Sequence, residues 1–510
     1  MNVCLLLPPR VLKLLSATSK PSPPLGLAYI AGALQSAGHN VTVIDAIGEN
    51  PEQVNPFMAD NIVTNGISAQ EILERIPKNT QLLGVSIMFT ANWLSDKKLI
   101  DFIGEKMPQL TIVAGGEHIS AIPEVCMQQA KHLAICVLGE GEETIVELAR
   151  AIENGQALHT VEGIAFKKQN EIITTARRNR TRELETIPRP AWELFPVKAY
   201  HDYSMSWGVD RGKSLPIIAT RGCPYTCTFC SSPEMWGTKY SMRQPKDVVD
   251  EISHLRNKFG ATNFDFYDLT AIIKKQWIID FAKEVVSRDL NITWQIPGGT
   301  RSEAIDMEVA EWLYKSGCRN ITYAPESGSQ EILRLIKKKV VLSRMITSMQ
   351  HSHTQKMNVK INIMIGFPEE NHKHIWETLG FLIQASWAGV SDMFPATFIP
   401  YPGSELFKRL RAEGKINLND DNYYLRFTYG DTFLKPYFYN EKINKYVLRV
   451  YLALYIVVFY STNFIFRPSR IYRLIKNLLT GNFESRAEMA IEEIFRRKSY
   501  RPMLSPTPSA

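Results

Sequence analysis

Short apolar runs and amphipathic stretches alternate along this chain, once before residue 150 and again after residue 214. In the first half, continuous apolar runs at 3–7, 41–44, 82–87, 111–114 and 134–138 are separated by helical spacing at 25–37, 96–106 and 142–152. Apolar strands separated by helices predict a parallel sheet covered on both faces, here doubly wound and Rossmann-like. Ligands of such sheets sit beyond the carboxyl ends of the strands. Those ends carry Pro8-Pro9, Asp45-Ala-Ile-Gly48, Ser86-Ile-Met-Phe-Thr90, Gly115-Gly-Glu-His118 and Gly139-Glu-Gly-Glu142. In the second half, strands are expected at 215–220, 263–267, 292–296, 320–324, 359–365 and 393–399, with helices such as 246–258, 276–287, 307–316 and 372–385 between them. Six strand–helix units predict a partial (β/α)6 barrel, whose chemistry belongs at the carboxyl ends of its strands.

The intervening stretch reads as a hairpin (161–167 with 171–175) followed by three prolines, Pro188, Pro190 and Pro196, which rule out a helix there and suggest an extended strap. The expected α/β organisation is therefore a sheet domain at 1–150, a linker at 151–206, a barrel at 207–430 and a mainly helical region at 431–510. The last region holds 17 uncharged residues, 450–466, followed by Arg467, Arg470, Arg473 and Lys476. Three readings compete for it: a helix packed on the barrel, an interfacial helix on anionic lipid, or a membrane span. The tail from Ser505 reads as disordered.

Composition changes this picture little. A 510-residue chain with 45% hydrophobic and 22% charged residues is ordinary globular material for roughly three domains. A net charge of +7 is too small and too spread to indicate nucleic-acid binding, and the run Arg177-Arg-Asn-Arg-Thr-Arg182 reads as a solvated linker. The first ten residues, Met1 to Arg10, have no basic start and only a short apolar run, so no signal peptide is expected and the location is read as cytoplasmic.

Cysteine placement is the sharpest signal. Three of the seven cysteines fall within eight residues, in Arg221-Gly-Cys-Pro-Tyr-Thr-Cys-Thr-Phe-Cys230, directly after an expected strand. A structural zinc site is closed by four ligands, and no fourth Cys or His lies nearby. Three thiolates suit a [4Fe-4S] cluster that leaves one iron open. Gly222 and Pro224 are expected to bend the backbone, and Phe229 offers a flat apolar surface. Cys4, Cys126, Cys136 and Cys318 lack regular spacing and read as buried thiols.

The spacing C-x3-C-x2-C, with Cys223, Cys227 and Cys230 on a loop leaving a strand, resembles the radical S-adenosylmethionine (SAM) superfamily. The resemblance implies that the open iron holds SAM and that cleavage yields a 5′-deoxyadenosyl radical. It places SAM near Phe229 and near the strand ends Asp268, Arg301 and Glu326-Ser327-Gly328. The upstream sheet resembles the cobalamin-binding domain fused to many such enzymes, on Pro21-Ser-Pro-Pro-Leu-Gly-Leu27, Ala114-Gly-Gly-Glu-His118 and Gly139-Glu-Gly-Glu-Glu-Thr144. Ser86, Thr90, Gly115, Gly116, Glu117, Gly139 and Glu140 are the corresponding cobalamin contacts. The bland alternative is a Rossmann-like sheet that binds nothing. Where cobalamin mutases carry a cobalt-ligating histidine in D-x-H-x-x-G, this chain has Ile47, so a lower histidine ligand is not expected there. His118 is an alternative ligand, though a polar loop histidine is the simpler reading.

The whole resembles the cobalamin-binding radical SAM enzymes over roughly residues 1 to 430. It implies a methyltransferase acting on an unactivated carbon, using SAM, the cluster and cobalamin, with an external electron donor such as flavodoxin or ferredoxin. The alternative is an oxidative cyclase or ring-rearranging enzyme on the same cofactors. Methylthiotransfer to tRNA is disfavoured, because Cys4, Cys126 and Cys136 are badly spaced for a second cluster. A cobalamin carrier without catalysis fits poorly with the intact cysteines. The substrate is expected to be a small or lipid-like molecule, the latter from the apolar, basic C-terminal helix, which also suggests peripheral membrane contact.

Overall fold

The computed structural model describes residues 1–13, 20–59, 61–169, 171–301, 304–429 and 437–499. The expected boundary at 430/431 and the expected disordered tail from Ser505 lie outside these residues.

Five parallel strands build the first sheet. In spatial order they are Ile135–Val137, Thr111–Gly115, Leu82–Ser86, Asn2–Leu7 and Asn40–Asp45. The chain order reverses between Asn2–Leu7 and Leu82–Ser86, and ligands of open sheets bind beyond the strand ends at such a switch point. The hairpin Ile164–Lys168 and Glu171–Thr174 pairs antiparallel onto the outer edge of Ile135–Val137. It therefore extends the first sheet rather than forming part of a free linker, because its apolar Ile164 and Phe166 complete that sheet's core. A small antiparallel sheet of Arg10–Lys13, Ile62–Asn65 and Val54–Met58 was not legible, since its strands are short and carry Asn, Thr and Pro.

The strap ties the two halves together. Gly32 leaves room that the Arg189 carbonyl fills, 2.1 Å from where a Cβ would stand. The guanidinium of Arg189 reaches forward to Asp247 and Glu251 on the first barrel helix, Pro245–Phe259.

Six parallel strands follow in sequential order: Ser214–Ile217, Asn263–Phe266, Thr293–Thr300, Cys318–Glu326, Asn358–Ile365 and Asp392–Thr397. This is the expected partial barrel. Strand Asn358–Ile365 explains its two faces. Val359, Ile361, Ile363 and Ile365 are buried in the apolar core, while Lys360, Asn362 and Met364 take the alternate positions on the lumen side. Asp265, Gln295 and Asn320 occupy equivalent alternate positions, so the lumen is polar.

The start of the barrel is plugged from within. Backbone N–H groups of Gly208 and Val209 donate to Asp265 and Gln295, and Arg211 donates to Asn320. Arg486 donates to the Gly208 carbonyl from the C-terminal region. The third strand runs longer than expected because Gly298-Gly299 carries a bulge, with Gly299 at φ +120°.

Helix Lys445–Phe466 packs along the last barrel helix, His372–Ala388. Asn463 donates to the Val390 carbonyl, and the hydroxyl of Tyr460 donates to Asp392. One face thus follows the barrel-packing reading, and its bonds to the barrel, from Tyr451 to Asn463, are incompatible with a membrane span. Its opposite face is exposed.

Candidate functional site

The cysteine loop is a closed excursion. Its two ends are held together by a short ribbon, Thr220 opposite Met242 and Arg221 opposite Ser241. Gly222, at φ +86°, is the pivot: a Cβ there would stand 2.0 Å from the Lys239 carbonyl oxygen. The glycine is therefore needed to close the loop on itself, a nearer reason than wrapping a cluster. Asp268 fixes the loop from below. Its carboxylate accepts from the backbone N–H groups of Ala219 and Thr220 and from the Thr220 hydroxyl. It is only 2% exposed, and burial pushes its carboxyl up to about 6. Asp268 thus anchors the loop that carries the cysteines.

Cys223, Cys227 and Cys230 are all free and partly accessible. Burial pushes the Cys227 thiol up to about 11, with Cys230 and Cys223 adding to the rise and Lys338 opposing it. Burial likewise raises Cys230, which lies 3.2 Å from the Ser232 hydroxyl. Among the described residues, no three His, Cys, Asp or Glu side chains are gathered tightly enough for a single metal ion. Three coupled thiols at wider spacing, without a fourth ligand, fit a polynuclear iron–sulfur cluster. The other four cysteines are buried, as expected.

Above the loop, Glu326 sits at φ +68° on an irregularity of the fourth strand, a strained position for a non-glycine residue. Its carboxylate pairs with Lys338 at 2.9 Å. Lys338 Nζ also lies 5.9 Å from the centre of the Phe229 ring, which in turn meets Phe367 at 5.9 Å. Lys338 is the residue that sequence reasoning missed, because Lys337-Lys338-Lys339 looks like a solvated run. Arg301 stacks on Tyr225 of the cysteine loop, 3.9 Å from the ring centre.

Ser327 and Gly328 turn away. The Ser327 hydroxyl lies 3.3 Å from that of Thr378, and the Gly328 N–H donates to the same Thr378 oxygen. A Cβ on Gly328 would stand 2.6 Å from the Thr378 Cα, so this glycine serves helix packing. In the barrel, Thr300 Oγ1 and Asn362 Oδ1 are buried without a partner among the described residues, as polar atoms awaiting a ligand would be.

The expected cobalamin residues divide into two groups. Ser86 and Thr90 flank the switch point, and between them Phe89 is 62% exposed and Met88 43% exposed. Two large apolar side chains left open there suit a flat macrocycle. Thr90 itself is buried and bonded to His118 Nδ1. His118 is a core residue, packed between Trp93 and Tyr424 and held neutral by burial with its pKa near about 3. Gly115 ends its strand, and Gly116 is glycine because the Ile87 carbonyl lies 2.3 Å from its missing Cβ. Ile47 is buried, in a short helix covered by Pro196 and Tyr200.

Glu117, Gly139 and Glu140 lie at a domain junction. Glu117 accepts from Ser231, the residue after the third cysteine. Glu140 pairs with Arg180 at 3.0 Å, and Glu142 pairs with Arg221 at 2.6 Å. Burial raises Glu142, but Arg221 more than offsets this, so its carboxyl lies below the ordinary range. Gly139, at φ +74°, donates to Ser120 and lies beside the Met235 carbonyl. These residues bolt the first sheet's strand ends directly onto the cysteine loop.

Residues 217–382 match the radical SAM superfamily, and residues 13–149 match the B12 binding domain. The chain belongs to the cobalamin-binding radical SAM enzymes. Its cofactors are a [4Fe-4S] cluster, SAM and cobalamin. An uncharacterized methyltransferase of Pyrococcus horikoshii is 26% identical over 89% of this chain and 93% of its own length. Cytidylyl-2-hydroxyethylphosphonate methyltransferase of Streptomyces wedmorensis is 26% identical over 80% of this chain and 81% of its own. Anaerobic magnesium-protoporphyrin IX monomethyl ester cyclase of Cereibacter sphaeroides is also 26% identical, over 77% and 61%. Among solved structures, the radical SAM methyltransferase TsrM from Kitasatospora setae, with cobalamin and cluster bound, superposes with a TM-score of 0.63. That likeness is at 17% identity and covers 81% of this chain and 78% of the other, so it speaks for the fold.

Proposed function

We propose that this cobalamin-binding radical SAM enzyme methylates an unactivated carbon of a small molecule. The observation that carries this reading is the junction of Glu117 with Ser231 and of Glu142 with Arg221, which fixes the cobalamin-binding strand ends over the cysteine loop. Two cofactors acting on one substrate in turn need such fixed proximity. Bound, the cluster with SAM supplies hydrogen-atom abstraction, and cobalamin supplies a methyl group.

The chain's own residues do the positioning. Cys223, Cys227 and Cys230 hold the cluster, and Asp268 and the Arg221 ribbon set where it stands. Phe229 and the Lys338–Glu326 pair border the space beside it, the carboxylate offering an acceptor to ribose hydroxyls or a SAM amino group. The plug at Gly208-Val209 closes the barrel from beneath, so that substrate enters from the cobalamin side and water is kept from the reacting atoms. An external donor such as flavodoxin or ferredoxin supplies the electron, and a reducing cytoplasm suits the cluster. A lipid-like substrate is favoured by the apolar face described below.

The relationship to the anaerobic cyclase keeps a second reading, oxidative cyclisation without methyl transfer. Methyl-labelled SAM separates them. Label in the product together with 5′-deoxyadenosine supports methylation; 5′-deoxyadenosine with an unlabelled, oxidised product supports cyclisation. The Cys227→Ala variant is expected to lose both the cluster and all 5′-deoxyadenosine formation.

A further inference from the structure

Helix Ser469–Thr480 is mounted with its polar side inward. Its buried residues are Arg470 and Asn477. Arg470 donates to the carbonyls of Gly389 and Val390, and Asn477 donates to Glu488. The outward side is Ile471, Tyr472, Ile475 and Leu479, with Tyr472 72% and Leu479 82% exposed. Surface helices of soluble proteins bury the apolar stripe; this helix buries Arg470 and Asn477 beside half-buried Leu474 and Leu478 and leaves a second apolar stripe in the open.

The stripe has neighbours. On Lys445–Phe466, the outward positions include Val450, Val457 and Ile465. Beside it, His372–Ala388 exposes Trp376, Ile383 and Trp387. The two helices meet at both ends of this face, Trp376 against Tyr451 and Trp387 against Phe466 at 4.9 Å between ring centres. Contiguous apolar surface of this kind marks an interaction site.

Charge selects the occupant. Residues 442–483 contain no Asp or Glu, and they contain Lys442, Lys445, Arg449, Arg467, Arg470, Arg473 and Lys476. Arg467 and Arg470 are spent on backbone carbonyls of the barrel. Lys445 and Lys476 are exposed at either end of the apolar face. A second copy of this chain would set two such cationic segments against each other. Apolar stripes bordered by tryptophan, tyrosine and lysine instead match the boundary of an anionic bilayer.

We propose that helices Ser469–Thr480, Lys445–Phe466 and His372–Ala388 form a face that docks this enzyme on the surface of an anionic membrane, with the barrel lying on the bilayer and no segment crossing it. The test is flotation of the full-length holoenzyme with phosphatidylcholine vesicles, with and without phosphatidylglycerol. The expected result is flotation with the anionic vesicles only, weakened by salt. The I475E/L479E variant should remain at the bottom while its circular dichroism and 5′-deoxyadenosine formation match the parent. The K445E/K476E variant should bind about tenfold or more weakly, at roughly 1 kcal/mol per basic residue near the surface. The proposal is overturned if the parent fails to float at low salt, or if I475E/L479E floats as well as the parent. It is equally overturned if light scattering finds a dimer that I475E/L479E dissolves, which would assign the face to a second copy.

Discussion

Gly222 and Lys338 carry the most decisive single-residue consequences. A Cβ at Gly222 meets backbone, which cannot swing aside, and sits at a φ that side chains avoid. Gly222→Ala should cost about 1–3 kcal/mol of stability and reduce iron content on reconstitution, read by denaturant unfolding and iron assay. Lys338 and Glu326 form a largely buried ion pair, and removing one partner of such a pair strands the other's charge at a cost of about 3–5 kcal/mol. Lys338→Met should therefore destabilise strongly, and the double variant Lys338→Met/Glu326→Gln should recover much of the loss. Equal losses in both would contradict the pairing. The cysteines stand out at this scale by their spacing, and all three lie on one loop closed by a ribbon. Lys338 does not stand out, because its partner lies twelve residues away across a turn and its neighbours Lys337 and Lys339 hide it. The direction of a side chain also escapes the sequence: in Glu326-Ser327-Gly328 the glutamate faces the site, while the serine side chain and the space beside the glycine face helix His372–Ala388.

At the scale of elements, the loop-and-ribbon unit and the acidic strand end interlock. Replacing Glu142 with Gln removes the charge that holds Arg221, which is 5% exposed. SAM cleavage should continue, since the cysteines are untouched, but methyl transfer should fall relative to 5′-deoxyadenosine as the two domains lose register. An unchanged ratio would contradict the coupling role. The fifth strand end gives a pH prediction. Glu370 is fully buried, accepts from the Gly366 N–H at 2.6 Å, and has its carboxyl pushed by burial from the ordinary 4.5 up to about 8. Between those values the native state binds the proton and the unfolded chain does not. This group's contribution to stability thus falls as pH rises from about 4.5 to about 8, then levels. Glu370→Gln should lack that slope, so its stability relative to the parent should rise across the same window. Alternating apolar runs made both parallel sheets legible. The lumen plug was not, because Gly208 and Val209 carry no pattern; their place follows from distant Asp265 and Gln295, and only the assembled barrel brings these together.

The whole molecule is two parallel sheets whose carboxyl ends are joined, with a third helical layer along the barrel's flank. The sequence resemblance predicted both sheets and their ligands, and Glu117, Gly139 and Glu140, expected to touch cobalamin, stand where the two halves join. Charged residues at a strand end can serve a ligand and a neighbouring domain, and here Glu140 meets Arg180 while Glu142 meets Arg221. The central claim is that both cofactors act in one chamber. It is tested most directly by anaerobic reconstitution of the full chain with iron, sulfide and cobalamin, followed by incubation with SAM and a reductant. The account predicts about four irons per chain, a bound corrin in the visible spectrum, and formation of both 5′-deoxyadenosine and methylcobalamin. Iron and 5′-deoxyadenosine without retained corrin would contradict it, leaving the first sheet without its assigned role and the methyl group without a donor.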